Sequence, residues 1–218
     1  MDLTESYKQV VPADVLHRYD WAETRNAAAI LAATNPAEFD DLTAILRTFR
    51  VEPDLDIFPP GGNESLTASR LNEAFRRKGW REGSYKVTLS SALRLLPWLE
   101  GGETDETVAE TDSGSTSYLV DNIKGQVAID VEWHAKDGNL DRDVAAYRSL
   151  HAETIIDAAA ILTMTRTDMR AWARELDPIT TKFQTSTTTN LEKLLDRLRR
   201  GDGGGCPILA IAVCRRTT

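Results

Sequence analysis

The stretch from Gln126 to Trp133 reads QVAIDVEW, in which small or polar residues alternate with apolar ones. Successive side chains of a β-strand point to opposite faces, so this alternation predicts a strand with one apolar face. That face consists of Val127, Ile129, Val131 and Trp133. Asp130 and Glu132 share the opposite face and lie about 7 Å apart along the strand. The stretch therefore predicts a sheet that carries two carboxylates on one face.

A third carboxylate, that of Asp121, comes nine residues before Asp130, on the approach to the strand. Three converging carboxylates repel each other unless a cation lies between them, and hard oxygen ligands select Mg²⁺ or a similar ion. Such a site suits metal-assisted hydrolysis of phosphodiesters. A half-exposed strand with a solvated acidic face is the alternative, because this spacing occurs by chance about once in a chain so rich in acids.

Length and composition predict one domain with a substantial core, since the chain has 218 residues of which 41% are hydrophobic. No run approaches the roughly 18 apolar residues of a membrane helix, and Met1 to Glu5 has neither the basic nor the apolar part of a signal peptide. Cys206 and Cys214 flank the last predicted strand without metal-ligand spacing. We expect a cytoplasmic protein that does not associate with membranes and keeps reduced, buried thiols.

The order of elements predicts an α/β fold with a central mixed sheet flanked by helices. The mostly helical N-terminal part, 1–99, precedes an acidic mobile loop, 100–117, and an α/β core, 118–214, all within a single domain that carries the three carboxylates. Helices are expected at 22–33, 36–49, 65–78, 90–99, 140–152, 168–176 and 190–200, and a loop at 53–62. Strands are expected at 85–89, 126–133, 155–164 and 207–212, of which 155–164 is apolar enough to be buried on both faces.

Net charge argues against a nucleic-acid partner, because a chain of −8 is repelled by a polyanion. The distribution weakens this objection, since residues 100–112 hold six acids and no base, which leaves −2 for the rest. Residues 70–94 carry a local charge of +5. Each basic stretch is equally compatible with an ordinary solvated helix face. Overall acidity therefore does not exclude DNA.

The motif Asp121-(x8)-Asp130-Val131-Glu132 resembles the catalytic core of the PD-(D/E)XK nucleases. The resemblance narrows towards type II restriction endonucleases of the BglII/BstYI kind. It covers roughly 66–214 and rests on three stretches: 71–75 (LNEAF) with 78–80 and 85–88, the strand 127–132, and the strand 207–212 behind a Gly-rich turn. The third catalytic position is Lys or Gln in most of these enzymes, whereas here it is Glu132. The resemblance therefore leaves open whether Glu132 is a metal ligand or the base for water.

What the resemblance implies is a Mg²⁺-dependent endonuclease in which Asp121, Asp130 and Glu132 are the catalytic and metal-binding residues. It further implies a homodimer that cuts a short palindrome in double-stranded DNA to 5′-phosphate and 3′-hydroxyl ends, in restriction of foreign DNA. A cognate DNA methyltransferase is expected alongside. The recognition sequence and any methylation sensitivity do not follow from the residues.

Candidate DNA-binding residues lie in two places. One is the polar run 180–189, whose hydroxyls and adjoining helix N-terminus suit phosphates or base edges, although N-capping and a solvated loop also account for it. The other is the end of the third long helix. The candidates are Lys182, Thr185, Ser186, Thr187, Thr188, Arg77 and Lys78. Two other functions stay open: a non-catalytic DNA-binding or regulatory protein of the same fold, and a modification-dependent or repair nuclease.

Overall fold

The computed structural model describes residues 1–58, 65–184 and 187–218, and its chain divides into two compact units. The larger unit comprises Met1–Gly83 and Val120–Thr218, and the smaller comprises Ser84–Leu119. Part of the expected 53–62 loop and the candidates Thr185 and Ser186 lie outside the described residues. No helix in the described part of the chain combines the length and apolar character needed to cross a membrane.

Helices of the described chain occur mainly in the larger unit. They are α1 (Tyr7–Val10), α2 (Ala13–Leu16), α3 (Ala27–Thr34), α4 (Pro36–Thr48), α5 (Leu66–Arg77), α6 (Gly138–Ala152), α7 (Arg166–Leu176) and α8 (Leu191–Arg200). A π-helical turn spans Pro53–Ile57, and 3-10 turns span Leu99–Gly101 and Arg215–Thr217. Ser65 and Asn190 each cap a helix by accepting a hydrogen bond from the backbone N–H three residues later.

The described strands form one six-stranded mixed sheet. They are β1 (Tyr19–Glu23), β2 (Arg81–Leu95), β3 (Thr107–Lys124), β4 (Val127–Val131), β5 (Ala158–Met164) and β6 (Ile208–Val213), in the order β1-β6-β5-β4-β3-β2. The central strands β4, β5 and β6 are parallel, whereas β1 and β3 run antiparallel to their neighbours β6 and β4. The predicted mixed sheet flanked by helices is therefore confirmed.

Both faces of β4 are buried, so the alternative of a solvated acidic face is wrong. Val127, Ile129, Val131 and Trp133 enter the main core, as predicted, with side chains of α3, α4 and α5 such as Leu31, Leu46 and Phe75. The opposite face is covered by α6, which presents a buried stripe toward the sheet. That stripe consists of Leu140, Asp143, Val144, Tyr147 and Leu150.

Three expectations for the first half of the chain are wrong. The predicted 22–33 helix begins later, because Ala22 and Glu23 complete β1 and the left-handed Arg25 and Asn26 turn the chain before α3. The predicted 90–99 helix is mostly the end of β2. Residues 107–117 of the predicted mobile loop belong to β3. The N-terminal part is therefore less helical than expected and supplies both edge strands, β1 and β2.

The smaller unit, Ser84–Leu119, consists of the outer parts of β2 and β3 and their connection. Side-chain contacts join Ser90 to Asp112 at 2.5 Å and Arg94 to Glu106 at 3.3 Å, so the two strands approach each other toward the connection, as in a hairpin. Several of its large apolar side chains are exposed. They include Leu93, Leu95, Leu96, Trp98 and Leu99.

Cys206 and Cys214 flank β6, and both thiols are free and buried. Burial raises the pKa of Cys206 to about 12 and also raises the pKa of Cys214. Neither thiol is therefore a ready nucleophile at neutral pH.

Candidate active site

Strand pairing brings Asp121 and Asp130 together. Antiparallel β3 and β4 are in register with Asn122 opposite Ile129, so Asp121 stands beside Asp130 and their side chains share one face. The backbone N–H of Asp121 donates to Asp130 Oδ1 at 2.7 Å, and that of Val131 donates to Asp121 Oδ2 at 3.2 Å. Each carboxylate is thus fixed by the backbone of the neighbouring strand.

Tyr147 of α6 holds the second oxygen of Asp130. The phenol hydroxyl donates to Asp130 Oδ2 and lies 3.2 Å from the carbonyl oxygen of Ala160. Asp130 is fully enclosed, and burial together with the charges of Asp143 and Asp121 raises its pKa well above the usual value. Burial also raises the pKa of Asp121, whose ionised form the Val131 N–H and Asn72 side chain favour. Both carboxylates are therefore costly to ionise without a counter-charge.

Glu132 lies just past the end of β4 and faces Asp143 of α6. The two carboxyl groups interact with each other, and their residues are 4% and 1% exposed. Burial raises the pKa of Glu132 to about 7, and burial with the charge of Glu132 raises that of Asp143 to about 8. Among the described residues, neither Glu132 Oε2 nor Asp143 Oδ2 has a hydrogen-bond partner. The pair therefore needs a proton or a cation.

Asp143, Tyr147 and Asn72 are site residues that the sequence reasoning missed. Asn72 lies in α5, where its Oδ1 accepts a hydrogen bond from Asn122 Nδ2 at 2.7 Å and its side chain also bonds Asp121. A signal for Asp143 was present in the sequence. Residues 140, 143, 144 and 147 share one face of a helix, and an acid within that otherwise apolar stripe marks a buried carboxylate.

Arg142 places a positive charge beside these carboxylates. Its Nε and Nη2 each lie 3.3 Å from Asp143 Oδ1, and its charge lowers the pKa of Asp143, Glu132 and Asp121 against the larger effect of burial. The side chain of Lys124 is engaged in another contact. Its Nζ bonds Asp41 Oδ2 at 2.8 Å, and it lies on the opposite face of β3 from Asp121.

The side chains fit a hard divalent cation by their donor chemistry. Asp121, Asp130, Glu132 and Asp143 are all carboxylates, the ligands that Mg²⁺ prefers. Two of their buried oxygens, Glu132 Oε2 and Asp143 Oδ2, lack a hydrogen-bond partner among the described residues. Within residues 1–58, 65–184 and 187–218, however, no three His, Cys, Asp or Glu side chains are already grouped closely enough to hold one ion. A cation bound by these carboxylates would therefore require the side chains to move closer together.

The DNA-binding candidates that the structure describes lie in two places. Lys182 and Thr187 are exposed and Thr188 is half-buried in the polar segment that precedes α8. Arg77 is exposed at the end of α5 and pairs with Glu73, and Lys78 pairs with Asp41 at 3.0 Å. If Arg77 or Lys78 contacts DNA, its ion pair with Glu73 or Asp41 must first break.

Comparison with known proteins places the chain in a family. A search of curated proteins found no match. The model of the restriction endonuclease BglII/BglIII family matches residues 19–213, from the start of β1 to the end of β6. The match includes every strand of the sheet and all of the acidic residues described above. The fold is accordingly restriction-endonuclease-like, and the chain belongs to the BglII/BglIII restriction endonuclease family.

Proposed function

We propose that this protein is a type II site-specific endonuclease that hydrolyses phosphodiester bonds of double-stranded DNA with Mg²⁺. The observation that carries the proposal is the register of β3 and β4, which puts Asp121 beside Asp130 with Glu132 two residues further on. Family membership supports double-stranded DNA as the substrate. The whole chain would work as one nuclease domain, and Asp121, Asp130 and Glu132 lie in the larger unit.

In this proposal Asp121, Asp130 and Glu132 hold the metal, which when bound would polarise the phosphodiester and promote ionisation of the attacking water. The protein's own groups prepare these carboxylates. Tyr147 and the backbone N–H of Asp121 orient Asp130, while Asn72 and the Val131 N–H orient Asp121. Because a carboxylate oxygen has two lone pairs, these hydrogen bonds leave capacity for a cation.

Glu132 has two roles open to it, as a further metal ligand or as the group that takes a proton from water. A pKa of about 7 in the metal-free protein suits a proton acceptor near neutral pH. Its partnerless Oε2 suits a ligand equally well. In-line attack would leave 5′-phosphate and 3′-hydroxyl ends, and a symmetric homodimer would match a palindromic site. The biological role would be restriction of foreign DNA, with a cognate methyltransferase to protect the host.

The test is cleavage of a panel of plasmid and phage DNA, methylated and unmethylated, with Mg²⁺ or with EDTA. Asp130→Asn keeps the size of the side chain and removes its charge, whereas Asp196→Asn changes an exposed acid of α8 and is the matched control. We expect discrete Mg²⁺-dependent fragments from the wild type and the control but not from Asp130→Asn. End sequencing of these fragments would give the site and the offset.

Two outcomes would favour the other candidates. Cleavage of methylated DNA alone would indicate a modification-dependent nuclease. DNA binding without cleavage on the whole panel would indicate a non-catalytic binding protein, an alternative favoured by the absence of three grouped metal ligands in the described chain.

A further inference from the structure

The polar segment, described at 180–184 and 187–188, ends beside the chain that follows β4. Residues 187–189 run antiparallel to residues 135–137, with Lys136 bridged to Thr188. The backbone N–H of Thr189 donates to the carbonyl of Ala135 at 2.9 Å, and that of Asp137 donates to the carbonyl of Thr187 at 3.3 Å. The last residues of the polar segment are therefore hydrogen-bonded to the chain that follows Glu132.

Thr189 reaches Glu132 itself. Its side chain is fully buried, and its hydroxyl donates to the backbone carbonyl of Glu132 at 3.1 Å. The same carbonyl accepts a hydrogen bond from the Thr163 hydroxyl of β5 at 2.9 Å. Two donors satisfy both lone pairs of this oxygen. The backbone of Glu132 is thus fixed from one side by the sheet and from the other side by the end of the polar segment.

The beginning of the polar segment contacts the same stretch of chain. The ring of Phe183 stacks on that of His134, with centroids 5.2 Å apart and planes 23° apart. His134 adopts a left-handed backbone with φ of 58°, which is uncommon for a histidine and needs surrounding contacts to hold it. Between these two anchors Thr181, Lys182, Gln184 and Thr187 are exposed. A displacement of the exposed residues would therefore also move the backbone of residues 132–137.

We propose that Thr189 is a positioning residue that couples DNA contact at the exposed polar segment to the placement of Glu132. The inference rests on the proposed endonuclease function and deepens it. When the segment is correctly seated on DNA, the Thr189 hydroxyl keeps the Glu132 backbone where its carboxylate serves cleavage. When the segment is displaced by a wrong sequence, the same hydrogen bond carries the displacement to Glu132. Thr189 touches neither DNA nor the reacting atoms.

The test compares Thr189→Val with Thr163→Val, because each removes one hydroxyl from the same carbonyl and keeps the shape of the side chain. The measurements are kcat, the Kd for cognate DNA in EDTA, and the ratio of cleavage at the cognate site to cleavage at sites with one base changed. For Thr189→Val we expect kcat to fall about tenfold, because the free energy of one buried hydrogen bond corresponds to a rate change of about that size. We expect its Kd to stay within about twofold and its cleavage ratio to fall.

Thr163→Val should lower kcat without changing the cleavage ratio, because Thr163 belongs to the sheet and not to the polar segment. Thr189→Ser keeps the hydroxyl and should therefore have the wild-type kcat and cleavage ratio. If Thr189→Val does not fold, Thr189→Ala would be measured in its place. Wild-type kcat and ratio in Thr189→Val or Thr189→Ala would overturn the inference, as would an equal fall in the ratio for Thr163→Val. A wild-type protein that cuts no DNA would instead overturn the proposed function.

Discussion

Tyr147 donates its hydroxyl hydrogen bond to Asp130 from the helix that connects β4 to β5. The contact joins a buried carboxylate of the site to the centre of α6. Because of this hydrogen bond, a shift of α6 on the sheet would also change the orientation of the Asp130 carboxylate.

Replacing Tyr147 with Phe should reduce both stability and cleavage. The change leaves Asp130 Oδ2 without its donor in a buried place, which costs about 1 to 3 kcal/mol of unfolding free energy. Tyr19→Phe is the matched control, because the buried Tyr19 hydroxyl donates to the carbonyl of Leu46 at 2.8 Å in another part of the core. Urea unfolding should show a loss for both variants, whereas plasmid cleavage should slow only for Tyr147→Phe. Equal cleavage rates in the two variants would contradict this role of Tyr147.

Asn72→Ala should slow cleavage about tenfold, because Asp121 loses a side-chain hydrogen bond that favours its ionised form. Asn35→Ala is a control of equal burial, since both asparagines are 7% exposed and Asn35 bonds Thr34 and Asp157 instead. Cleavage rates would be normalised to the folded fraction measured by circular dichroism. A similar loss in both variants would indicate that Asn72 acts only through stability.

The Glu132–Asp143 pair should make the metal-free protein less stable as pH rises. Both acids have a higher pKa in the folded protein than in the unfolded chain, so their favourable contribution is complete at low pH. It is lost as pH rises through about 7 to 8, where the folded pair must ionise. In EDTA, the Tm should therefore fall between pH 5 and pH 9, and Asp143→Asn should reduce that fall.

Added Mg²⁺ should raise the Tm of the wild type most at the upper end of this pH range, because the ionised carboxylates then have a counter-charge. Identical Tm profiles of the wild type and Asp143→Asn in EDTA would show that Asp143 does not share the charge of Glu132.

Arg197→Met should destabilise the contact between α6 and α8. The Arg197 side chain is 9% exposed and bonds Asp141 through Nε at 2.7 Å and Nη2 at 2.8 Å, and it also pairs with Asp137 at 3.2 Å. We expect a loss of about 1 kcal/mol, since the two partner carboxylates are partly exposed and screened. Arg200→Met, which removes the exposed pair with Asp202, should leave the urea midpoint unchanged. A larger loss of unfolding free energy for Arg200→Met than for Arg197→Met would contradict this stabilising role of Arg197.

The sequence predicted the central part of the fold because the pattern there is unambiguous. The alternation in β4 and the apolar run of β5 have the period and length of strands, and α6, α7 and α8 lie between strands as expected. Asp121 and Asp130 could be brought together from spacing alone, since nine residues are enough for a tight turn between paired strands.

The outer part of the sheet was not predictable in the same way. Residues 90–95 contain Ala, Leu and Arg, which favour a helix, yet they lie in β2 beside β3. Strand preference depends on neighbouring strands, which local sequence does not reveal. For the same reason, the local sequence of the acidic stretch of β3 predicts a loop, whereas the structure has a strand there. Asn72 is separated from Asp121 by 49 residues, so its contribution to the site appears only once the chain is folded.

The two buried thiols that flank β6 are the chain's whole cysteine complement, and burial keeps both unreactive. Any cysteine introduced on the surface would thus be the single site for maleimide chemistry. A fluorophore or spin label at position 182, in the exposed polar segment, would report its environment without background from the native thiols. Neither Cys206 nor Cys214 would therefore have to be replaced before such a labelling experiment.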